Sequence, residues 1–199
     1  ESVSPKPVRE ALGSVFTNIY AEGYPSTRMG IDNIENLLDH KHQLSYLRRY
    51  SDNKYYKGTE YVDFIESLAQ KRAARLFATE KIAAEKIYVN VQPLSGAPGN
   101  NAVFTAFLKP GDTVLSMALT CGGHLSHGSE INRSGINFNI ISYGVETGEN
   151  KLNYDRIRRL AVESKPKLII AGYSAYPWDI DWKELRKIAD EASPGCLLL

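Results

Sequence analysis

The sequence predicts an α/β fold, a mostly parallel sheet with helices on both faces, and three observations carry that prediction. From residue 86 onward short apolar runs (86–91, 113–117, 136–142, 167–171 and 196–199) alternate with stretches of helical spacing, the order expected of strands joined by crossover helices. Within 167–171 the residues Leu168, Ile169, Ile170 and Ala171 are all apolar, as a strand covered on both faces requires. Loops rich in small residues follow the runs that end at 91, 117 and 171, and ligands of open α/β sheets sit beyond the carboxyl ends of the strands.

Taken in order, Val8, Leu12, Val15, Phe16 and Ile19 recur at helical spacing after Pro5 and Pro7 and predict one amphipathic helix with a core-facing stripe. Gly23 and Pro25 then force a loop over 20–28 (YAEGYPSTR), crowded with two tyrosines, a carboxylate and an arginine. Such density suits either a binding loop or ordinary surface packing. Ile31, Ile34, Leu37, Leu38, Leu44 and Leu47 trace a helical insert; His40 and His42 on it point apart and read as surface residues. After a second aromatic loop at Tyr55 and Tyr56, the positions Tyr61, Phe64, Ile65, Leu68, Arg72 and Leu76 predict a strong helix.

In the alternating part the strand at 86–91 leads to a helix at 99–108, the turn 109–112 to the strand 113–117, and 136–142 is the next strand. Asn153 is the expected N-cap of a helix at 154–163. Asp181 with Glu184 three residues later has the spacing of a capping box for a helix ending near Ala192, and 196–199 begins one more buried strand.

The composition excludes several functions. A chain of 199 residues, 43% hydrophobic and 24% charged, can bury a sizeable core. Its formal charge of +1, from 24 basic and 23 acidic residues, gives no general attraction to nucleic acid or an anionic membrane. No apolar stretch approaches the roughly 20 residues of a membrane span, residues 1–7 do not read as a signal peptide, and Cys121 and Cys196 are the only cysteines. A cytoplasmic protein is the expectation. The absence of repeats and low-complexity segments argues against a solenoid or a disordered tail.

Chemistry concentrates in three loops. In 89–108 (VNVQPLSGAPGNNAVFTAFL) an apolar run gives way to Ser95, Gly96 and Ala97 and then to a helix, with Pro98 expected at its first position. Free N–H groups, the helix dipole and the Ser95 hydroxyl would converge on an anion such as a phosphate; a tight strand-to-helix connection without a ligand is the alternative. The loop after 113–117 contains Cys121, His124 and His127 at spacings of three. They suit a metal site lacking an evident fourth ligand, a histidine face stacked on an aromatic cofactor, or histidines satisfied by backbone. After 167–171, Ser174 either hydrogen-bonds a ligand or caps the turn; no GxSxG elbow supports a serine hydrolase.

The segments TNIYAEGYP, YYKGTEYVDFIE, VNVQPLSGAPGNNAVFTAFLKPGDTVL, GGHLSHGS, SYGVETG and KPKLIIAGYSAYP, in this order, resemble the amino-terminal half of serine hydroxymethyltransferase. The resemblance runs over nearly all of residues 5–199, apart from 29–52. It implies the three-layer large domain of a pyridoxal 5′-phosphate-dependent transferase of the aspartate-aminotransferase-like fold. Residues 1–58 would form an N-terminal helix, active-site loops and the insert, and 59–199 the first part of the cofactor-binding domain. Ser95, Gly96 and Ala97 would hold the cofactor phosphate, His124 would stack on the pyridine ring, and Ser174 would bind the phenolic oxygen. Tyr20 and Glu22 match the family's catalytic tyrosine and glutamate, and Tyr56 the tyrosine at the substrate carboxylate. Leu119, Gly123 and Leu125 match folate-pocket positions, with tetrahydrofolate as co-substrate and serine and glycine as small-molecule substrates. A homodimer is implied, because the tyrosines and glutamate act largely across a subunit interface.

The sequence also departs from the family pattern. Cys121 stands where a histidine is common, Pro98 and Gly99 replace Gln-Ala, and Trp178 follows SAYP where arginine is common. The family's ring-nitrogen aspartate, aldimine lysine and substrate-binding arginine fall beyond Leu199, so the chain is expected to be part of a longer protein and inactive alone. The activity implied is reversible transfer of the serine hydroxymethyl group to tetrahydrofolate. Its rivals are another pyridoxal-phosphate aldolase of the same scaffold, such as a threonine aldolase type, a non-catalytic homologue, and a metal protein.

Overall fold

The computed structural model describes residues 3–50, 54–56, 58–59 and 61–199. Its contacts divide the chain into two compact units, Glu1–Gln92 and Pro93–Leu199.

The second unit is built on four strands, β1 (Thr113–Met117), β2 (Asn139–Tyr143), β3 (Leu168–Ile169) and β4 (Leu197–Leu198), all parallel and in the order β2-β1-β3-β4. Val114 pairs with Ile140 on one side and with Leu168 on the other. Because strand side chains alternate, the sheet feeds two cores. Val114, Leu168 and Ile170 pack with Phe104 of α6 (Gly96–Phe107) and Leu108 on one face. On the other, Leu115, Met117 and Ile169 meet Ile157 and Ala161 of α8 (Tyr154–Ser164) and Leu185, Ile188 and Ala189 of α9 (Trp182–Ala192). Leu115, Ile169 and Ile188 are completely buried, each worth about 1.5–3 kcal/mol of transfer free energy. This is the α/β arrangement with helices on both faces that the alternating runs predict.

The caps of these helices lie at the expected residues. Asn153 Oδ1 accepts from Arg156 N–H at 2.9 Å, and Asp181 Oδ1 from Glu184 N–H at 2.9 Å. The strand expected at 136–142 begins later, because Asn132 caps a short helix, α7 (Arg133–Asn137), through Ser134 N–H at 3.0 Å. No ladder forms over 86–91. A 3₁₀ turn (Ala84–Lys86) precedes irregular backbone there, and Tyr88 is almost wholly exposed; among the described residues no strand pairs with this apolar run.

The first unit contains α1 (Lys6–Leu12), a 3₁₀ turn (Val15–Thr17), α2 (Thr27–Ile31), α3 (Ile34–Leu38), α4 (His40–Tyr50) and α5 (Tyr61–Phe77). The stripe of Val8, Leu12, Val15, Phe16 and Ile19 is not one core-facing helix. Gly13 ends α1, and all five side chains are about half exposed or more. The insert is three short helices rather than one, since polar residues that prefer caps break it. Ser26 Oγ accepts from Met29 N–H at 3.4 Å, Asn33 Oδ1 from Asn36 N–H at 2.7 Å, and Asp39 Oδ1 from the Lys41 and His42 N–H groups at 3.0 and 3.1 Å. His42 also approaches Asp32, at 3.6 Å. In α5 the buried positions are Asp63, Glu66, Ser67 and Ala74, while Tyr61, Ile65 and Leu76 are exposed. The buried face is thus rotated from the apolar stripe toward a buried charge described below. No described helix is long and apolar enough to cross a membrane.

Candidate functional site

In the second unit the loops leaving β1 and β3 emerge side by side, because those strands are parallel neighbours. Gly122 clamps them together. Its carbonyl accepts from the N–H of Ser174 at 2.9 Å and of Ala175 at 3.2 Å. Its φ of +112°, with a Cβ 3.2 Å from the Ala175 and Tyr176 backbone, leaves glycine as the residue that fits. The N-terminus of α6 completes a cavity of about 430 Å³ lined by Ser95, Gly96, Ala97, Asn100, His124 and Ser174, among others. All five cofactor-binding candidates therefore meet around one space.

The cradle itself is open for a ligand. Ser95 is the N-cap, yet its side chain makes no capping hydrogen bond, and a Cβ on Gly96 would meet nothing within 4 Å. Pro98 is the third helical residue rather than the first. It still lies in the first turn, where its missing N–H leaves no intrahelical bond unmade, and the donors at the helix end are the N–H groups of Gly96 and Ala97.

His124 opens a 3₁₀ turn (Leu125–His127) and its ring is held from behind. Its Nδ1 accepts from Ser126 N–H at 3.1 Å and lies 2.8 Å from Ser126 Oγ, which in turn lies 2.8 Å from Asn100 Nδ2. His127 donates nothing to the cavity through Nδ1, which accepts from His124 N–H at 3.4 Å, and its carbonyl accepts from Ser116 Oγ of β1. Burial, with a smaller contribution from the His124 ring, holds the His127 imidazole below its ordinary value of 6.5. The folded chain then binds that proton less readily than the unfolded one. Its stabilising contribution is complete above about pH 6.5 and is lost as pH falls through that value and the lower folded one. Thermal melts between pH 7 and 5 should therefore slope less in His127→Gln than in wild type, and equal slopes would refute this assignment.

The readings of Cys121 are narrowed by its surroundings. Its Sγ lies 3.0 Å from where a Gly144 Cβ would stand, and among the described residues no three His, Cys, Asp or Glu gather as a metal site. Leu119 and Leu125 are exposed on the same loop, and Gly123 is buried, its N–H bonded to Ala118 O at 3.1 Å. Trp178 is half exposed, with Lys151 Nζ 4.8 Å from its ring centroid.

The first unit gathers a second group of candidates. The loop 20–25 pairs with the residues after the insert through an antiparallel bridge between Gly23 and Lys54, and Tyr55 N–H donates to Glu22 O at 3.1 Å. This brings the rings of Tyr20 and Tyr56 to 5.2 Å, edge to face. The Glu22 charge, followed by a hydrogen bond to the same carboxylate, raises the Tyr56 phenol above its ordinary value. Glu22 also lines a cavity of about 570 Å³ with Val62, Ile65 and Val91.

Beneath that loop lies what sequence reasoning missed. The Lys54 side chain, 2% exposed, reaches Asp63 Oδ1 at 3.3 Å and Glu66 Oε2 at 3.7 Å, and donates to the carbonyls of Ala21 and Gly23 at 3.2 and 3.1 Å. Gln92 Nε2 adds bonds to Gly23 O at 3.0 Å and Glu66 Oε1 at 2.9 Å. The available signal was two carboxylates three apart on a helix that otherwise reads as amphipathic. Asn100 and Ser126 were missed as well, since neither carries a reactive group.

Known proteins are similar to this chain over most of its length. The family model for serine hydroxymethyltransferase matches residues 33–198. A protein of Lactobacillus johnsonii named serine hydroxymethyltransferase is 47% identical over 191 residues, 96% of this chain and 38% of the relative. One of the same name from Nitrosospira multiformis is also 47% identical over 191 residues, with the same coverage. The chain thus spans well under half the length of these relatives.

Proposed function

Because the chain belongs to the serine hydroxymethyltransferase family, we propose that it is part of an enzyme that reversibly transfers the serine hydroxymethyl group to tetrahydrofolate, giving glycine and 5,10-methylenetetrahydrofolate. The observation that supports a pyridoxal 5′-phosphate site is the cavity where an N-cap hydroxyl free of capping duty, His124 and Ser174 converge. The residues fit the group. Bound there, the cofactor supplies the electron sink for the bond broken in the substrate.

The chain's own residues then have distinct tasks. Ser95 Oγ and the N–H groups of Gly96 and Ala97 hold the phosphate at the positive end of α6. His124 covers one ring face, and Ser174 hydrogen-bonds the phenolic oxygen, its loop fixed by the Gly122 carbonyl. Glu22 takes and returns a proton at the hydroxymethyl group. Tyr56, whose ring lies edge to face with Tyr20, contacts the substrate carboxylate. Leu119, Gly123 and Leu125 belong to the folate side. A homodimer in the cytoplasm completes the proposal.

Serine-to-glycine turnover by the full-length protein, with and without tetrahydrofolate, tests it. Cleavage indifferent to folate would instead mark an aldolase on the same scaffold, and a protein without a visible cofactor band would mark a non-catalytic homologue. Ser95→Ala should weaken pyridoxal-phosphate binding by about 1–3 kcal/mol, the scale of a hydrogen bond to a charged group. Unchanged affinity in a fluorescence titration would move the phosphate elsewhere.

A further inference from the structure

The hydrogen bonds behind His124 run in one direction. The backbone N–H of Ser126 is an obligatory donor, and it points at His124 Nδ1 from 3.1 Å. That nitrogen therefore carries a lone pair. The Ser126 hydroxyl, 2.8 Å from the same atom, must then donate its only hydrogen to it, and its oxygen is left as an acceptor. Asn100 Nδ2 donates to that oxygen at 2.8 Å. The chain Asn100 N–H to Ser126 O–H to His124 Nδ1 leaves the ring hydrogen on Nε2.

Position makes this more than local satisfaction. Asn100 is the fifth residue of α6, the helix whose first turn forms the anion cradle. Ser126 is 1% exposed and is not a wall of the cavity, whereas Asn100 and His124 are. The network joins the helix that would grip the phosphate to the ring that would cover the cofactor, through a residue that reaches neither.

We propose that Asn100 is a positioning residue that, through the Ser126 hydroxyl, holds the plane of the His124 ring in the tautomer set by the Ser126 N–H. The tautomer part stands on the hydrogen bonds alone; the consequence for cofactor binding rests on the function proposed above.

The test uses the full-length protein with ¹⁵N-labelled histidine, first without cofactor. The ring nitrogens of His124, assigned by comparison with His124→Asn, should show the Nε2–H tautomer in wild type. Asn100→Ala and Ser126→Ala should keep this tautomer but broaden the His124 ring signals, and Ser126→Thr should sharpen them again. A proton on Nδ1 in wild type, or spectra unmoved by both alanine variants, overturns the proposal.

Pyridoxal-phosphate affinity supplies the second readout. Each alanine variant should bind about five- to tenfold more weakly, the scale of one hydrogen bond. The double variant should be no more than about twofold weaker than either single one, because both changes cut one pathway. Additive losses would mean that Asn100 touches the cofactor directly, and would overturn the relay. Should wild type fail to bind the cofactor while the tautomer result holds, the functional reading falls and the positioning role remains. If one variant does not fold, the wild-type tautomer and the remaining variants still decide the matter.

Discussion

Replacing Lys54 with Met should lower the unfolding free energy by about 3–5 kcal/mol, the range for removing one partner of a buried charge network. The side chains of Lys54, Asp63 and Glu66 are all at most 7% exposed, so water cannot stand in for the lost ammonium. The carbonyls of Ala21 and Gly23 lose a donor at the same time, although Gly23 O keeps its bond from Gln92 Nε2. The loop holding Tyr20 and Glu22 would be released with them. Urea unfolding of the full-length variant measures the effect, and a loss below about 1 kcal/mol would mean that the network contributes little. Exchanging all three charges for apolar residues of similar volume should recover much of the stability, yet not the loop's geometry.

Gly123→Ala should cost at least about 3 kcal/mol, beyond ordinary overpacking, because nothing nearby can yield. The added Cβ would stand 2.3 Å from Met117 O and 3.0 Å from Ala118 O, both backbone atoms at the end of β1. Moving them breaks the turn that carries His124 and the β1 register behind it. Gly96→Ala is the informative contrast, for its Cβ meets no protein atom within 4 Å. It should leave the melting temperature nearly unchanged while filling cradle space and weakening cofactor binding. A stable, cofactor-competent Gly123→Ala protein would show that this turn is not the constraint described.

Much of the second unit was legible because its signals are local and agree with one another. Apolar runs marked β1 and β3, and Asn153 and Asp181 announced the two helices covering one face. The first unit was less so. The spacing of Val8, Leu12, Val15, Phe16 and Ile19 describes a helix that would have an apolar face, but cannot say what covers that face; these residues are exposed. The run 86–91 has strand composition without a partner, and pairing, not composition, makes a strand. Lys54 illustrates the third limit. Its two carboxylates lie 9 and 12 residues away in sequence, and only the folded chain shows that all three are buried together.

For the candidate site, the residue types in each loop left an anion cradle beside a plain connection, and a metal, ring-facing or structural role for the histidines; the family resemblance chose among them. The convergence of these loops on one cavity depends on the parallel adjacency of β1 and β3, which strand composition does not encode. What supports them from behind, Asn100, Ser126 and the Gly122 carbonyl, carries no chemical label at all.

The Gly122 carbonyl bears a consequence for motion. A single acceptor holds two consecutive amides of an exposed loop, so the loops after β1 and β3 are tied to each other. Ordering one wall of the cavity would then remove freedom from the other, and a ligand held by His124 would meet part of the entropic cost of ordering Ser174. The two walls would therefore bind as one cooperative element, with affinity governed by how often that element is closed before the ligand arrives.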